Sequence, residues 1–240
     1  MHSSLPKVLV TLQGKPMLCR LLDAVVAAAI DPRPIVVIAG AQRGELVREA
    51  TAGYTMEYVV QEQQLGTAHA VQMCQQAAQG AEHVMILSGD HPLMSAATLR
   101  RFSQEHLAQH ASLSMMTTTV PDFDHWRQAF SQFGRILRDE HGHISGIVDS
   151  KDATALQLEI REVNPAYFCF RSDWLWGQIN RVGRQNAQGE YYLTDLVAIA
   201  HASSVPVSTI PVEPFEALGI NSAEHLKEVE RLLAARNLQS

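Results

Sequence analysis

Residues 61–70 read QEQQLGTAHA, a set of types and an order that suit binding of an anionic or carbonyl-rich ligand. The segment follows a short apolar run, Met56–Val60, and opens an Ala-rich amphipathic stretch. That order is strand, polar loop, then helix amino end, where unpaired backbone N–H groups and the positive dipole end collect. Gly66 would let a flat ligand or a phosphate approach the backbone, and Thr67 offers a hydroxyl at the helix start. An ordinary β-to-α turn with a glycine and a capping threonine satisfies the same pattern. A second candidate is Asp90, in Ser88-Gly89-Asp90-His91-Pro92, which closes the apolar run Val84–Leu87. Open α/β sheets bind ligands beyond the carboxyl ends of their strands, where Asp90 would stand. A carboxylate held there suits Mg²⁺, a hard cation that takes one or two carboxylates together with phosphate oxygens. Turn or capping chemistry, with Pro92 and Ser95 next in line, accounts for a lone Asp equally well.

The elements that must position these residues alternate. Leu18, Leu21, Leu22, Val25 and Val26 form a helical stripe, and residues 34–39 (PIVVIA) read as a buried strand. A helix over 42–51, a strand over 56–60, a helix marked by Ala70, Val71, Cys74, Ala77 and Ala78, and a strand over 83–88 follow. Residues 95–110 read as a helix capped by Ser95, and 111–120 as a strand. Continuous apolar runs and the β-α-β-α order predict an α/β fold, a mostly parallel sheet flanked by helices. After Pro121 the pattern changes to a hairpin over 133–138 and 143–148, a strand over 159–170, helices over 172–180 and 193–203, a strand over 207–211 and a last helix. The expectation is one domain over 1–240, with a ligand-side half to about residue 120 and a small β-rich half beyond it.

Composition narrows the class. Nineteen Lys+Arg against 25 Asp+Glu give a net charge of −6, which favours neither nucleic acid nor an anionic membrane as partner. Cys19, Cys74 and Cys169 are far apart in apolar surroundings and read as reduced core thiols. The longest apolar stretch, 24–30, is too short to span a bilayer, and no charged-then-apolar signal begins the chain. A cytoplasmic globular protein is expected. His106 and His110 are spaced i, i+4 but lack the Glu that follows the first His in a zinc protease, His141 and His143 flank a turn glycine, and all four read as surface residues; the tryptophans read as packing residues.

In series, the loops resemble the sugar-1-phosphate nucleotidyltransferases, most nearly the N-acetylglucosamine-1-phosphate uridyltransferase domain with its Rossmann-like fold. The matching pieces are LPKVL (5–9), QEQQLGTAHA, LSGDHPL (87–93), FGRI (133–136), GIVDSKDAT (146–154), EVNPAYF (162–168), QGEYYLTD (188–195) and GIN (219–221). Each is weak alone, but they fall in the family's order and spacing over almost the whole chain. The resemblance implies transfer of a uridylyl group from UTP to a sugar-1-phosphate with release of pyrophosphate, Mg²⁺-dependent, catalysed by positioning and charge neutralisation. It implies Asp90 and Asn221 as Mg²⁺ ligands, and Lys7 as a catalytic phosphate-contacting residue. It further implies Gln61, Gly66 and Thr67 around uracil and ribose, and Ser88, Gly134, Asp149, Asn164 and Thr194 on the sugar side. Read singly, Asn221 is also a helix cap, Lys7 a solvated charge, and Gly134 and Asp149 turn residues.

Departures from the family pattern fall in three places. Its strand and glycine-rich loop, L-A-A-G-x-G-T-R-M, precede the lysine, whereas here Met1-His2-Ser3-Ser4 leads directly to Leu5. An N-terminally incomplete chain is the expectation. Strands 34–39 and 83–88 would then flank the place of the lost strand about 10 Å apart, leaving stability and turnover low. In the sugar pocket the family's Glu is Asp149 and its N-T/S-G is Asn164-Pro165-Ala166. No hexapeptide repeat follows the Asn221 helix, so acetyl transfer is not expected. Another sugar phosphate or base, or a non-catalytic sugar-nucleotide-binding relative, stays open as an alternative.

Overall fold

The computed structural model of the chain describes residues 5–30, 34–40 and 44–237. The expected positions 31–33 and 41–43, including Gln42, lie outside the described residues. A single 3₁₀ turn over Lys7–Leu9 leads into a small hairpin, β1 (Thr11–Leu12) and β2 (Lys15–Pro16), around Gln13 and Gly14 with φ of 50° and 79°. Helix α1 (Met17–Ala28) then turns Leu18 and Leu22 toward the apolar faces of β3 (Ile35–Ala39) and α2 (Gly44–Ala50). The next strand, β4 (Glu57–Gln61), pairs with β3 in parallel, and its last residue is Gln61.

A seven-stranded sheet carries the rest. It contains β5 (His83–Ile86), β6 (Leu113–Thr119), β7 (Gly134–Arg138), β8 (Ile144–Val148), β9 (Glu162–Asn164), β10 (Phe168–Arg171) and β11 (Val207–Pro211). The order is β5-β10-β6-β9-β7-β8, with β11 beside β6. Here the expectation of a mostly parallel sheet is corrected. Among the described residues of this sheet only β6–β11 is parallel; β5–β10, β10–β6, β6–β9, β9–β7 and β7–β8 are antiparallel. The apolar runs reported burial on both faces, which is real, but carry no information about direction. Met116 and Cys169 point into one apolar cluster, and Leu113, Met115, Phe168 and Phe170 into the other. The single strand expected over 159–170 divides because Pro165 has no N–H for the ladder. The register against β6 shifts across that break, from Thr118↔Val163 to Met115↔Phe168.

Helices close both faces. Helix α4 (Ala96–Ala108) starts at Ser95, whose hydroxyl accepts from the Thr98 N–H at 3.1 Å, and buries Leu99 and Phe102 beside α1 and α8 (Ala223–Asn237). On the opposite face, α3 (Thr67–Met73), α6 (Ser172–Gln178) and α7 (Asp195–Ala202) pack around Phe168, Phe170 and Trp174. A short α5 (Ala155–Leu158) opens on a Thr154–Gln157 capping box. Among the described residues β3 pairs with β4 alone and β5 with β10 alone, so the two strands expected to flank a further one are not joined. His106 corrects the expectation of a surface histidine: it lies on the inner face of α4, fully buried. No described helix is long and apolar enough to cross a membrane.

Candidate active site

Three residues from distant parts of the chain meet at one point. Lys7 stands in the first 3₁₀ turn, Asp90 in the loop after β5, and Asn221 just before α8. The Lys7 ammonium donates both to Asp90 Oδ2 and to Asn221 Oδ1. Backbone contacts fix the two loops together, since the Ile220 N–H donates to the Asp90 carbonyl at 3.0 Å. Gly219 packs so tightly on His91 that a Cβ there would lie 2.6 Å from Nε2, and only glycine fits. His91 is buried between Phe133 and Tyr167, with ring centroids at 5.8 and 5.3 Å, and its Nε2 lies 3.6 Å from Asp90 Oδ1.

The electrostatics follow from this geometry. Burial pushes the Asp90 carboxyl up, but His91 and the Lys7 ammonium beside it reverse that and hold it below the usual carboxylate range. Burial also holds His91 below its ordinary value, so at neutral pH the imidazole is uncharged. A carboxylate oxygen and an amide oxygen converging on one cationic atom are a fitting donor pair for a hard divalent cation such as Mg²⁺. Among the described residues no group of three or more His, Cys, Asp or Glu could hold a metal, so further ligands would be substrate oxygens or water.

The QEQQLGTAHA loop is stitched to residues 191–193. The Ala68 N–H donates to the Tyr191 carbonyl (2.9 Å), Tyr191 N–H to the Leu65 carbonyl (2.8 Å), and Leu193 N–H to Thr67 Oγ1 (2.9 Å). Gly66 has φ of 116°, and a Cβ there would lie 2.5 Å from the Tyr191 carbonyl oxygen, so backbone proximity already demands glycine. Gln61 is buried, and its Nε2 contacts the Gly66 carbonyl (3.0 Å) and His69 Nδ1 (2.9 Å). Thr194 follows at the start of α7, and its hydroxyl does not cap that helix.

Gly134 and Asn164 are cross-strand partners in β7 and β9, and a Cβ on Gly134 would lie 2.7 Å from Ile147 Cγ2. Asn164 is buried and accepts the Ala166 N–H at 3.0 Å, while Asp149, just after β8, accepts the Lys151 N–H at 3.0 Å. Ser88 joins the Asp90 loop through its carbonyl, which accepts from His91 N–H at 3.3 Å. Because His91 touches Phe133 and Tyr167, the residues preceding Gly134 and following Ala166 flank the Asp90 loop. Sequence reasoning missed His69, His91, Tyr167 and Tyr191. The first two lie inside quoted motifs and could have been weighed there; the tyrosines had no signal beyond their motif neighbours. Cavities of about 160 Å³ and 280 Å³ both touch His69, beside α3, and neither is lined by Lys7, Asp90 or Asn221.

Ala166 has φ of 61°, in the left-handed region that favours glycine. Ala166→Gly is expected to stabilise the protein by roughly 0.5–1 kcal/mol, the relieved strain outweighing added unfolded-state entropy. The midpoint of urea unfolding reads this out, and an unchanged or lower midpoint would show that the strain does not exceed that entropy.

The same chain is matched over residues 1–238 by the family description MobA-like NTP transferase domain. The chain belongs to this family of NTP transferases. Among its relatives, the bifunctional protein GlmU of Burkholderia thailandensis is 40% identical over 233 residues, 97% of this chain and 49% of that protein. The bifunctional protein GlmU of Heliobacterium modesticaldum is 39% identical over 238 residues, 98% of this chain and 50% of the relative. This NTP transferase thus spans about half the length of the curated relatives it matches. A structure of CMP:2-keto-3-deoxy-manno-octonic acid synthetase complexed with CTP superposes with a TM-score of 0.68 at 14% identity, covering 98% of this chain and 95% of that one. At that identity the likeness concerns the fold, and it agrees with the α/β nucleotidyltransferase architecture.

Proposed function

We propose that this NTP transferase moves a uridylyl group from UTP to N-acetylglucosamine-1-phosphate, releasing pyrophosphate. The observation that carries the reading is the convergence of Lys7, Asp90 and Asn221, in a chain about 39% identical to GlmU proteins. Phosphoryl and nucleotidyl transfers need little covalent help from protein; they need alignment and neutralised charge. Asp90 and Asn221 would hold Mg²⁺, which when bound offsets negative charge on the transferring and leaving phosphates. Lys7 supplies an ammonium beside them for a phosphate oxygen. The Gln61–Thr67 loop takes the base and ribose, and Ser88, Gly134, Asp149, Asn164 and Thr194 take the sugar. The chain acts as one domain, nucleotide side to about residue 120 and sugar side beyond.

The reading is supported by the relatives' identity and by the site geometry, and a panel tests it. Pyrophosphate release is measured for UTP, CTP, GTP and ATP against N-acetylglucosamine-1-phosphate, glucose-1-phosphate and galactose-1-phosphate. UTP with N-acetylglucosamine-1-phosphate is expected to be fastest. Asp149 and the strained Ala166 favour a second reading, a different sugar phosphate, and a faster rate with one would establish it. Binding of the UDP-sugar without pyrophosphate exchange would make the chain a non-catalytic relative.

A further inference from the structure

We propose, building on the assignment of the base to the Gln61 loop, that His69 is a positioning residue that sets the choice between uracil and cytosine. A carboxamide has two N–H donors and one acceptor oxygen. The Gly66 carbonyl can only accept, so the Gln61 atom 3.0 Å from it is the nitrogen, and the amide orientation is fixed by chemistry. The same nitrogen lies 2.9 Å from His69 Nδ1. With one hydrogen directed to Gly66, the other goes to His69, which makes Nδ1 the unprotonated ring nitrogen and puts the ring hydrogen on Nε2. Both donors of Gln61 are thereby consumed inside the protein. Its Oε1 receives no hydrogen bond from any described residue.

Gln61 therefore presents the base with an acceptor alone. Uracil N3 carries a hydrogen and can donate to that acceptor. Cytosine N3 carries a lone pair and would oppose it. Without the Nδ1 acceptor, one of the two contacts that hold this orientation is gone, and the amide can rotate to turn an N–H toward cytosine N3. Gln61 itself is buried, so an unmatched polar contact at this place is felt in full. His69 is well placed for this role because α3 begins two residues earlier, at Thr67, and Ala68 is tied to Tyr191 by a 2.9 Å hydrogen bond. Those contacts anchor the first turn on which the ring is mounted.

The experiment measures calorimetric Kd values of the full chain for UTP and CTP, so that it does not depend on turnover. Asparagine and leucine have similar shapes, but only asparagine places an acceptor where Nδ1 stands. His69→Leu is expected to lower the UTP-over-CTP preference roughly tenfold or more, with the Kd for sugar-1-phosphate unchanged. His69→Asn is expected to restore most of the preference, and His69→Ala repeats the test if the leucine variant does not fold. A preference unmoved by His69→Leu, or lost equally in both His69→Leu and His69→Asn, overturns the role of His69. Gln61→Ala separates the two levels. If it removes the preference while His69→Leu does not, the base site stands and the role of His69 falls. If neither variant moves it, or the wild type binds neither nucleotide, the base assignment falls as well.

Discussion

The Asp90→Asn variant is expected to turn over about two to three orders of magnitude more slowly than the wild type. That is the usual consequence of losing one preorganised electrostatic group at a charged transition state. Asparagine keeps the shape and one acceptor oxygen, so Lys7 can still be held and the loops tied through the Asp90 carbonyl and Ile220 stay in place. What disappears is the negative charge. In the wild type that charge is present throughout the neutral range, because the carboxyl is held below its usual range against the effect of burial, with the Lys7 ammonium donating to it. Without it, Lys7 and a divalent cation would repel one another across an uncharged amide, and the cation would be held less tightly. The fall should therefore be in kcat, with a higher Mg²⁺ concentration needed for half-maximal rate. KM for the sugar phosphate should be little changed, since its expected contacts at Asn164, Asp149 and Thr194 are untouched. Unaltered turnover and unaltered Mg²⁺ dependence would remove Asp90 from the mechanism.

Local structure was largely legible in the sequence because it is set by local chemistry. Ser95 does cap α4, the strand over 207–211 has the expected bounds, and Thr67 begins the helix after the polar loop. Strand direction was not legible, because an apolar strand such as Phe168–Phe170 reports that both faces are covered and not which neighbour it pairs with. Insertion of β10 between β5 and β6 depends on contacts made long after β6 in the chain. Residue types alone did not bring Lys7, Asp90 and Asn221 together across separations of 83 and 214 residues from Lys7; the resemblance did. Gly66 shows a different limit. Its identity suggested room for a ligand, yet the backbone of Tyr191 already fills the place of its Cβ. His106 could have been read correctly, since Leu99, Phe102 and His106 share the i, i+3, i+7 spacing of one helix face.

That buried histidine should make stability fall steeply in mildly acid solution. His106 lies fully buried on α4, with Nε2 2.9 Å from His83 Nδ1 on β5 and Nδ1 2.7 Å from Ser114 Oγ on β6. Its hydrogen bonds do not forbid protonation, because both partners can accept. Burial does, together with the neighbouring His83, and they bring the pKa down to about 4. Arg171, the cross-strand partner of His83, and Asp173, paired with Arg171, form the charged rim of this cluster. An unfolded histidine titrates near 6.5, so between roughly pH 6.5 and 4 the unfolded chain binds a proton that the folded chain refuses. The contribution is fully present above pH 6.5, drains away as pH falls toward 4, and changes no further below that. Allowing for partial relaxation, it is on the order of 2–3 kcal/mol. Urea unfolding of the wild type and of His106→Gln at pH 7.5, 6, 5 and 4.5 checks this. Carboxylates titrate alike in both proteins and cancel in the difference, as does His91, which burial also holds low. The wild type is expected to lose about 2–3 kcal/mol more than the variant over that range. Parallel losses in the two proteins would show that His106 takes up its proton without opposing the fold.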